Sequence, residues 1–379
     1  MPILARDELE QSHMSDLHAI ASELGIEGYR RLRRAELIDA IVAGADGDAE
    51  GGGDAETETE TETETERPRS SRRRGGRRRS AEREQEAEER QPEPEPEPEA
   101  EPEPEEVRTG VLDILPNGSG FVRAQPFGHS AADVYVSPAQ IRRCELRAGD
   151  VVAGPVRKPR RSERHPSLVR VDEVNGAPAD PPPERPRFDE LTAVFPRERL
   201  AVPDGLERVP FGKGSRVAIG GPPGAGTTTL LRRIALSLAE AGDVELVVVL
   251  AGVRPEELTE WRAEERLTVA GGSFDRPADE QAQVAELAIE RAKRAVEAGR
   301  NAAVVIDSLD ALAAGAARRV FGAARTTEEG GSLTVVAATG TAGEPMRLAT
   351  TRIVLEPPGE DGEPRLAATS GTLRADGLK

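Results

Sequence analysis

Residues 214–242 read GSRVAIGGPPGAGTTTLLRRIALSLAEAG, and the order of their parts decides the fold. Gly214 to Ile219 is a short apolar strand. Gly221, Pro222, Pro223, Gly224, Ala225, Gly226, Thr227, Thr228 and Thr229 form a glycine-rich loop, and the apolar stripe beyond them is a helix closed by Gly242. Strand, glycine loop and helix in that order match the phosphate-loop pattern G-x-x-x-x-G-K-[ST] at every fixed position but one, because Thr227 stands where lysine belongs. Backbone N–H groups and the helix dipole still make an anion site there. Thr228 can still offer a hydroxyl to Mg²⁺. What is lost is a unit charge on the outer phosphates, an interaction of about 4 kcal/mol at ~4 Å and an effective dielectric near 20. Phosphate binding is therefore expected to be weakened, with still weaker support for phosphoryl transfer. Lys213 lies well upstream and is not taken as a substitute.

The flanking sequence extends this unit. Val244–Leu250 and Leu333–Ala338 read as buried parallel strands, and Ala302–Asp307 as another that ends on a carboxylate suited to hold the hydration shell of Mg²⁺. A helix over Asp279–Ala298 joins two of them. Strands alternating with helices predict a doubly wound parallel sheet over 206–379, preceded by a linker at 181–205.

Residues 107–180 differ in character. Alternating segments around Gly120–Arg123 and Asp133–Ser137, an Asn117-Gly118 turn, a turn at Pro138, another at Ala148-Gly149-Asp150 and a closing SLVRVDEVNG give five short strands. That count and length predict a small barrel of the OB type, which holds single strands by stacking bases on exposed aromatics. Phe121 and Tyr135 are the available rings, with Arg123, Arg142 and Arg143 nearby in sequence. An aromatic in so small a barrel serves the core as readily as a binding face.

At the other end, residues 1–43 read as short helices. Leu17, Ile20, Ala21 and Leu24 recur at helical spacing before Gly25, and Gly28 breaks the chain again. Leu37, Ile38 and Ile41 form a second stripe after Arg30, Arg31, Arg33 and Arg34. A helical cap and a nucleic-acid contact are equally open for this piece.

Charge separates the remaining segment. The 379 residues carry a formal net charge of −18, and residues 44–106 hold 23 acidic and 10 basic side chains, most of that excess. Thr-Glu repeats, the block RPRSSRRRGGRRR and Pro-Glu repeats, with alanine the only aliphatic type, cannot bury enough apolar surface to offset chain entropy, so disorder is expected. The arginine block reads either as an RNA-contacting arm or as a solvated patch held by its acidic flanks. Residues 107–187 are mildly basic, net +4, and there nucleic acid is sought. One cysteine, Cys144, and four histidines exclude a disulfide framework and argue against a zinc site. No apolar run reaches the roughly 20 residues of a membrane span. A cytoplasmic protein is the expectation.

With these residues placed, the chain resembles the Rho family of bacterial transcription termination factors. SDLHAIASELGIEGYRRLRRAELIDAIV is similar to the family's helical domain, and GVLDILPNGSGFVRAQ with DVYVSPAQIRRCELRAGD to its cold-shock-type RNA-binding domain. PFGKGSRVAIGGPPGAGTTTLL, VVIDSLDALA and FGAARTTEEGGSLTVVA are similar to its RecA-type motor. The resemblance implies a ring-forming, ATP-driven translocase with ATP and Mg²⁺ as cofactors, acting on cytidine-rich RNA held through the positions Phe121, Arg123, Asp133 and Tyr135. Ser119 replaces a further family aromatic.

The motor departs further from the family. Gly252-Val253 stands for the Asp-Glu whose glutamate is the hydrolytic base, and valine cannot polarise water. Ala311 replaces an arginine. The segments carrying the RNA-gripping loops are missing between Ala313 and Arg318 and after Thr339, a shortened motor. Leu373 occupies the arginine-finger position, with Arg374 one place off. Together these changes favour a Rho-like RNA-binding protein with weak or no ATP hydrolysis. The alternatives are an active RNA-dependent ATPase that terminates transcription and a non-catalytic interaction scaffold. Expected partners are single-stranded RNA, RNA polymerase or an intact Rho, in a homo- or hetero-oligomer, and no membrane.

Overall fold

The structure, a computed structural model, describes residues 17, 20, 21, 34–46 and 106–379 apart from 162 and 361. Leu24, Gly25, Gly28, Arg30, Arg31, Arg33, the arginine block and all of the acidic insert except its two ends lie outside the described residues. The chain divides into two units, residues 1–92 and 93–379. In the first, helix α1 (Arg34–Asp46) buries Leu37, Ile38 and Ile41 in one cluster with Leu17 and Ala21, the two apolar stripes of the sequence meeting face to face. Arg34 is exposed.

The second unit starts with a barrel. Strands β1 (Glu106–Ile114), β2 (Gly120–Arg123), β3 (Val134–Val136), β4 (Val151–Arg157) and β5 (Ser167–Leu168) hydrogen-bond in the order β1-β2-β3-β5-β4 and close through β1 against β4. The β3–β5 pairing is parallel and the others antiparallel. A small hairpin, β6 (Glu173–Val174) and β7 (Ala177–Pro178), continues from β4. Alternation along each strand turns Leu112, Val122, Val134, Val136, Val152 and Leu168 inward, and this one-sided apolar face closes the sheet on itself. The expected turn at Pro138 is instead helix α2 (Pro138–Arg143). Ser137 caps it, its hydroxyl accepting from Gln140 N while Gln140 Oε1 accepts from Ser137 N, and Pro138 suits the first helical position. Ser-Pro-Ala-Gln is thus a helix start rather than a chain reversal.

The segment expected as a linker is built into the next domain. Phe188 is buried in its core, and β8 (Ala193–Val194) pairs with β13 (Arg325–Thr327) at the sheet's flank. The sheet proper contains β9 (Arg216–Gly220), β10 (Glu245–Val253), β11 (Val269–Ser273), β12 (Asn301–Asp307), β14 (Ser332–Ala338) and β15 (Thr351–Val354), ordered β11-β10-β12-β14-β9-β15 and parallel throughout, with β16 (Gly371–Thr372) antiparallel at the edge. Helices α3 (Thr227–Ala241) and α4 (Pro255–Arg262) follow β9 and β10. Next come α5 (Ala278–Glu297), α6 (Ala314–Gly322) and α7 (Glu344–Leu348). Along β10, Val248 and Leu250 enter the core shared with α3, whereas Val249 and Ala251 enter the core shared with α5 and α6. A strand buried on both faces must be apolar at every position, which explains the unbroken runs of the sequence.

Barrel and sheet domain meet on α5. Gly149, at φ +84°, sits where an added Cβ would lie 2.3 Å from the Glu290 carbonyl carbon and 2.4 Å from Arg291 N, so only glycine allows this approach. Beside it Arg147 donates to Glu297 at 3.1 Å and to the Pro186 carbonyl at 2.7 Å, and Glu297 accepts from Phe188 N at 2.8 Å. Fully buried Asp150 is satisfied by Arg185, Asn175 and Arg147 N.

Candidate nucleic-acid interface and nucleotide site

The barrel face comes first. In the β2–β3 register Phe121 lies opposite Tyr135. Because Val122 and Val134 point inward, both rings point outward and are only half-buried. Their centroids are 5.8 Å apart, edge to face, and His165 meets Phe121 from the other side at 5.2 Å. Phe121 and His165 therefore stand between two clefts. One, of about 570 Å³, is lined by Tyr135, Gln140, Arg157, Glu163 and Arg164. The other, of about 500 Å³, is lined by Arg123, His129, Ser130 and Asp133. The loop between β4 and β5 is clamped by a two-pronged pair, Arg157 to Glu163 at 2.7 and 2.8 Å, and the Arg157 guanidinium holds the Glu163 carboxyl down at about 2.

All four residues expected to touch RNA come together, with different exposures. Arg123 and Asp133 are buried, joined at 2.7 Å, and Arg123 also pairs with Asp113 and touches His129 Nδ1 at 2.8 Å. Asp133 further accepts from Ala124 N and Ser130 N. The Arg123 guanidinium lies 5.5 Å from the Phe121 centroid and so backs that ring. Ser119 is buried, its N–H and hydroxyl both donating to Asn117 Oδ1, so this position presents no stacking surface. Sequence reasoning missed His165, Gln140 and Glu163. The basic run RKPRRSERH was the available signal, but only the loop's fold shows which of its side chains return to the aromatic pair.

The nucleotide site is assembled by β9, β10 and β12. Gly226 caps α3 in the left-handed region at φ +84°, leaving the first N–H groups of a 15-residue helix free to face the loop. Thr227 opens that helix. Asp307 ends β12, buried, and accepts from the Thr228 hydroxyl, while its Oδ2 has no hydrogen-bond partner among the described residues. Burial pushes the Asp307 carboxyl up to about 6, the Thr228 hydrogen bond opposing and the Glu257 charge adding to the rise. A carboxylate oxygen left over beside a hydroxyl fits a hydrated Mg²⁺. The P-loop cation has no such fit: Lys213 is bound to Glu198 at 2.8 Å.

Val253 closes β10 with its side chain buried, 5% exposed, in the core shared with α3. The preceding Gly252 N donates to Gln281 Oε1 at 2.5 Å. Asp310 accepts from the Thr339 hydroxyl at 3.0 Å. Arg374 lies with its guanidinium 3.9 Å over the Phe195 ring, and Leu373 is exposed.

A closed five-stranded barrel with an aromatic face, docked on a parallel sheet whose first strand ends in a glycine loop, defines an OB barrel joined to a RecA-like P-loop domain. The chain is similar to transcription termination factor Rho. Residues 8–44 match the Rho termination factor N-terminal domain, and 108–180 the Rho termination factor RNA-binding domain. Residues 204–330 match the nucleotide-binding domain of the ATP synthase alpha/beta family. Similar proteins include transcription termination factor Rho of Neisseria gonorrhoeae, 38% identical over 60% of this chain and 64% of that protein. That of Haemophilus influenzae is 39% identical over 60% and 63%, and that of Mycobacterium leprae 39% identical over 60% and 43%. The chain thus spans less than two thirds of these relatives' length. Among the described residues no helix is long and apolar enough to cross a membrane.

Proposed function

We propose that this protein is a cytoplasmic, Rho-related factor that holds single-stranded RNA on its barrel and keeps its P-loop domain as a nucleotide-binding module with weak or no ATP hydrolysis. The observation that carries the reading is Val253. The position of a hydrolytic base is occupied by a buried aliphatic side chain belonging to the domain core. Phosphoryl transfer depends on positioned charge, and the loop next to Asp307 also lacks its lysine. The residues present suit binding: helix N–H groups for phosphate, Asp307 and Thr228 for a hydrated Mg²⁺, and Phe121, Tyr135 and His165 for stacked bases. Such a protein acts on termination by competing for RNA or by joining the ring of an intact Rho, with RNA polymerase within reach of the same transcript.

A second reading, an active RNA-dependent ATPase, is favoured by Glu257. This carboxylate of α4 lies near enough to Asp307 to raise its pKa and can stand in as a base. The deciding experiment measures ATP turnover with and without cytidine-rich RNA, and RNA binding in the same preparation. RNA binding without turnover supports the first reading. RNA-stimulated turnover abolished by Glu257→Gln supports the second. Absence of RNA binding removes both.

A further inference from the structure

A cavity of about 880 Å³ lies on the sheet face between α5, α6 and α7, with Leu309 and Asp310, just beyond Asp307, at one end of its lining and Arg216 at the other. Arg216, which lines it, starts β9, whereas the phosphate loop follows that strand's other end, about 15 Å away at the rise of a strand. Most charges around the cavity cancel in pairs: Arg319 with Glu286 at 2.5 Å, Lys293 with Glu290 at 2.6 Å, and Arg318 with Glu344 at 3.2 Å. Two do not. Among the described residues the Arg216 guanidinium donates to the carbonyls of Ala324, at 2.8 Å, and Leu348, at 3.3 Å. Arg325 donates to the Ala323 carbonyl at 3.2 Å and stacks its guanidinium 4.5 Å from the Phe188 centroid. Neither has a carboxylate partner among the described residues: no ion pair joins Asp189 or Asp310 to them.

We propose that Arg216 and Arg325 form a binding site for the phosphate group of a nucleotide or an RNA backbone. The two side chains line the same cavity and their guanidiniums hold the adjacent carbonyls of Ala324 and Ala323; burial, with the Arg325 charge, lowers the Arg216 pKa. A like-charged pair facing a cavity, with its guanidinium donors only partly used, is relieved by an anion that accepts from both. The cavity exceeds a bare phosphate, and Ile289 and the exposed Leu348 give it an apolar wall against which a sugar or base can lie. The carbonyl contacts and the Phe188 stack hold both planar forks in place before a ligand arrives, which lowers the ordering cost of binding.

The test titrates pyrophosphate by calorimetry into the full chain and into Arg325→Gln. Loss of the guanidinium is expected to weaken binding about tenfold or more. Equal binding by both proteins, which the glycine loop or an adventitious ion would give, overturns the proposal. Should Arg325→Gln not fold, Leu348→Trp places an indole reporter in the cavity wall, and pyrophosphate must change its emission; an unchanged spectrum is equally fatal. A cytidine decamer, added to the Leu348→Trp protein that also carries Phe121→Ala and Tyr135→Ala, separates the sources. An emission change with the decamer assigns the RNA backbone, and a change with pyrophosphate alone assigns a free nucleotide.

Discussion

Arg123 and Asp133 form a 2.7 Å ion pair in which each side chain is only 2% exposed, directly behind the outward ring of Phe121. Removing one partner of a buried pair leaves a charge without compensation, typically at about 3–5 kcal/mol. Asp133→Ala is therefore expected to unfold the barrel at lower denaturant, with Asp113 retaining part of the Arg123 interaction. Chemical denaturation monitored at the barrel checks this, and unchanged stability would show the pair to be dispensable to the fold.

Phe121→Ala and Tyr135→Ala should each weaken binding of a cytidine oligomer by about 1–3 kcal/mol, the usual worth of one stacked base. His165→Ala belongs in the same series, because its ring borders both clefts. Fluorescence anisotropy of a labelled oligomer measures all three. Affinities equal to wild type would place RNA elsewhere.

Thr227→Lys should tighten ATP binding yet leave turnover at its starting level, because Val253 remains. Val253→Glu is not a simple cure, since it places a carboxylate in the apolar core beside α3. Steady-state phosphate release from Thr227→Lys is the check, and measurable gain would mean that another carboxylate, Glu257 foremost, is the base.

Asp307 gives a pH dependence of definite sign. Its folded pKa, about 6, lies above the ordinary aspartate value, so the protonated acid favours the fold. That contribution is complete below about pH 4 and disappears as pH rises through about 6. In metal-free buffer, wild type should gain about 1 kcal/mol over Asp307→Asn between about pH 7 and about pH 5. Paired denaturation curves measure it, and parallel pH profiles would show Asp307 to be ordinary.

The sequence was most legible where one local pattern implies one structure. Residues 214–242 gave strand, loop and helix because the glycines leave little alternative, and the runs around Val248, Val304 and Val335 could only be two-sided strands. The barrel followed from alternation. Strands β11 and β15 were harder to see because glycines and polar residues interrupt them, and their pairing comes from neighbours far along the chain. The helix after Ser137 was written in its cap but masked by proline. His165 was invisible as a site residue because its role depends on a loop closed by Arg157 and Glu163. Arg216 and Arg325 are 109 positions apart and meet only once the sheet is formed.

The Gly149 contact with α5 bears on how the molecule comes apart. A barrel of some 70 residues has too little interior to be strongly stable by itself. Here it rests on a helix whose opposite face is part of the large sheet core, with Glu297 bonded to both sides. Melting the barrel strips α5 of its outer cover, and melting α5 removes the barrel's seat. Heat should therefore release both in one calorimetric transition, and Gly149→Ala, by forcing the two backbones apart, should resolve it into two.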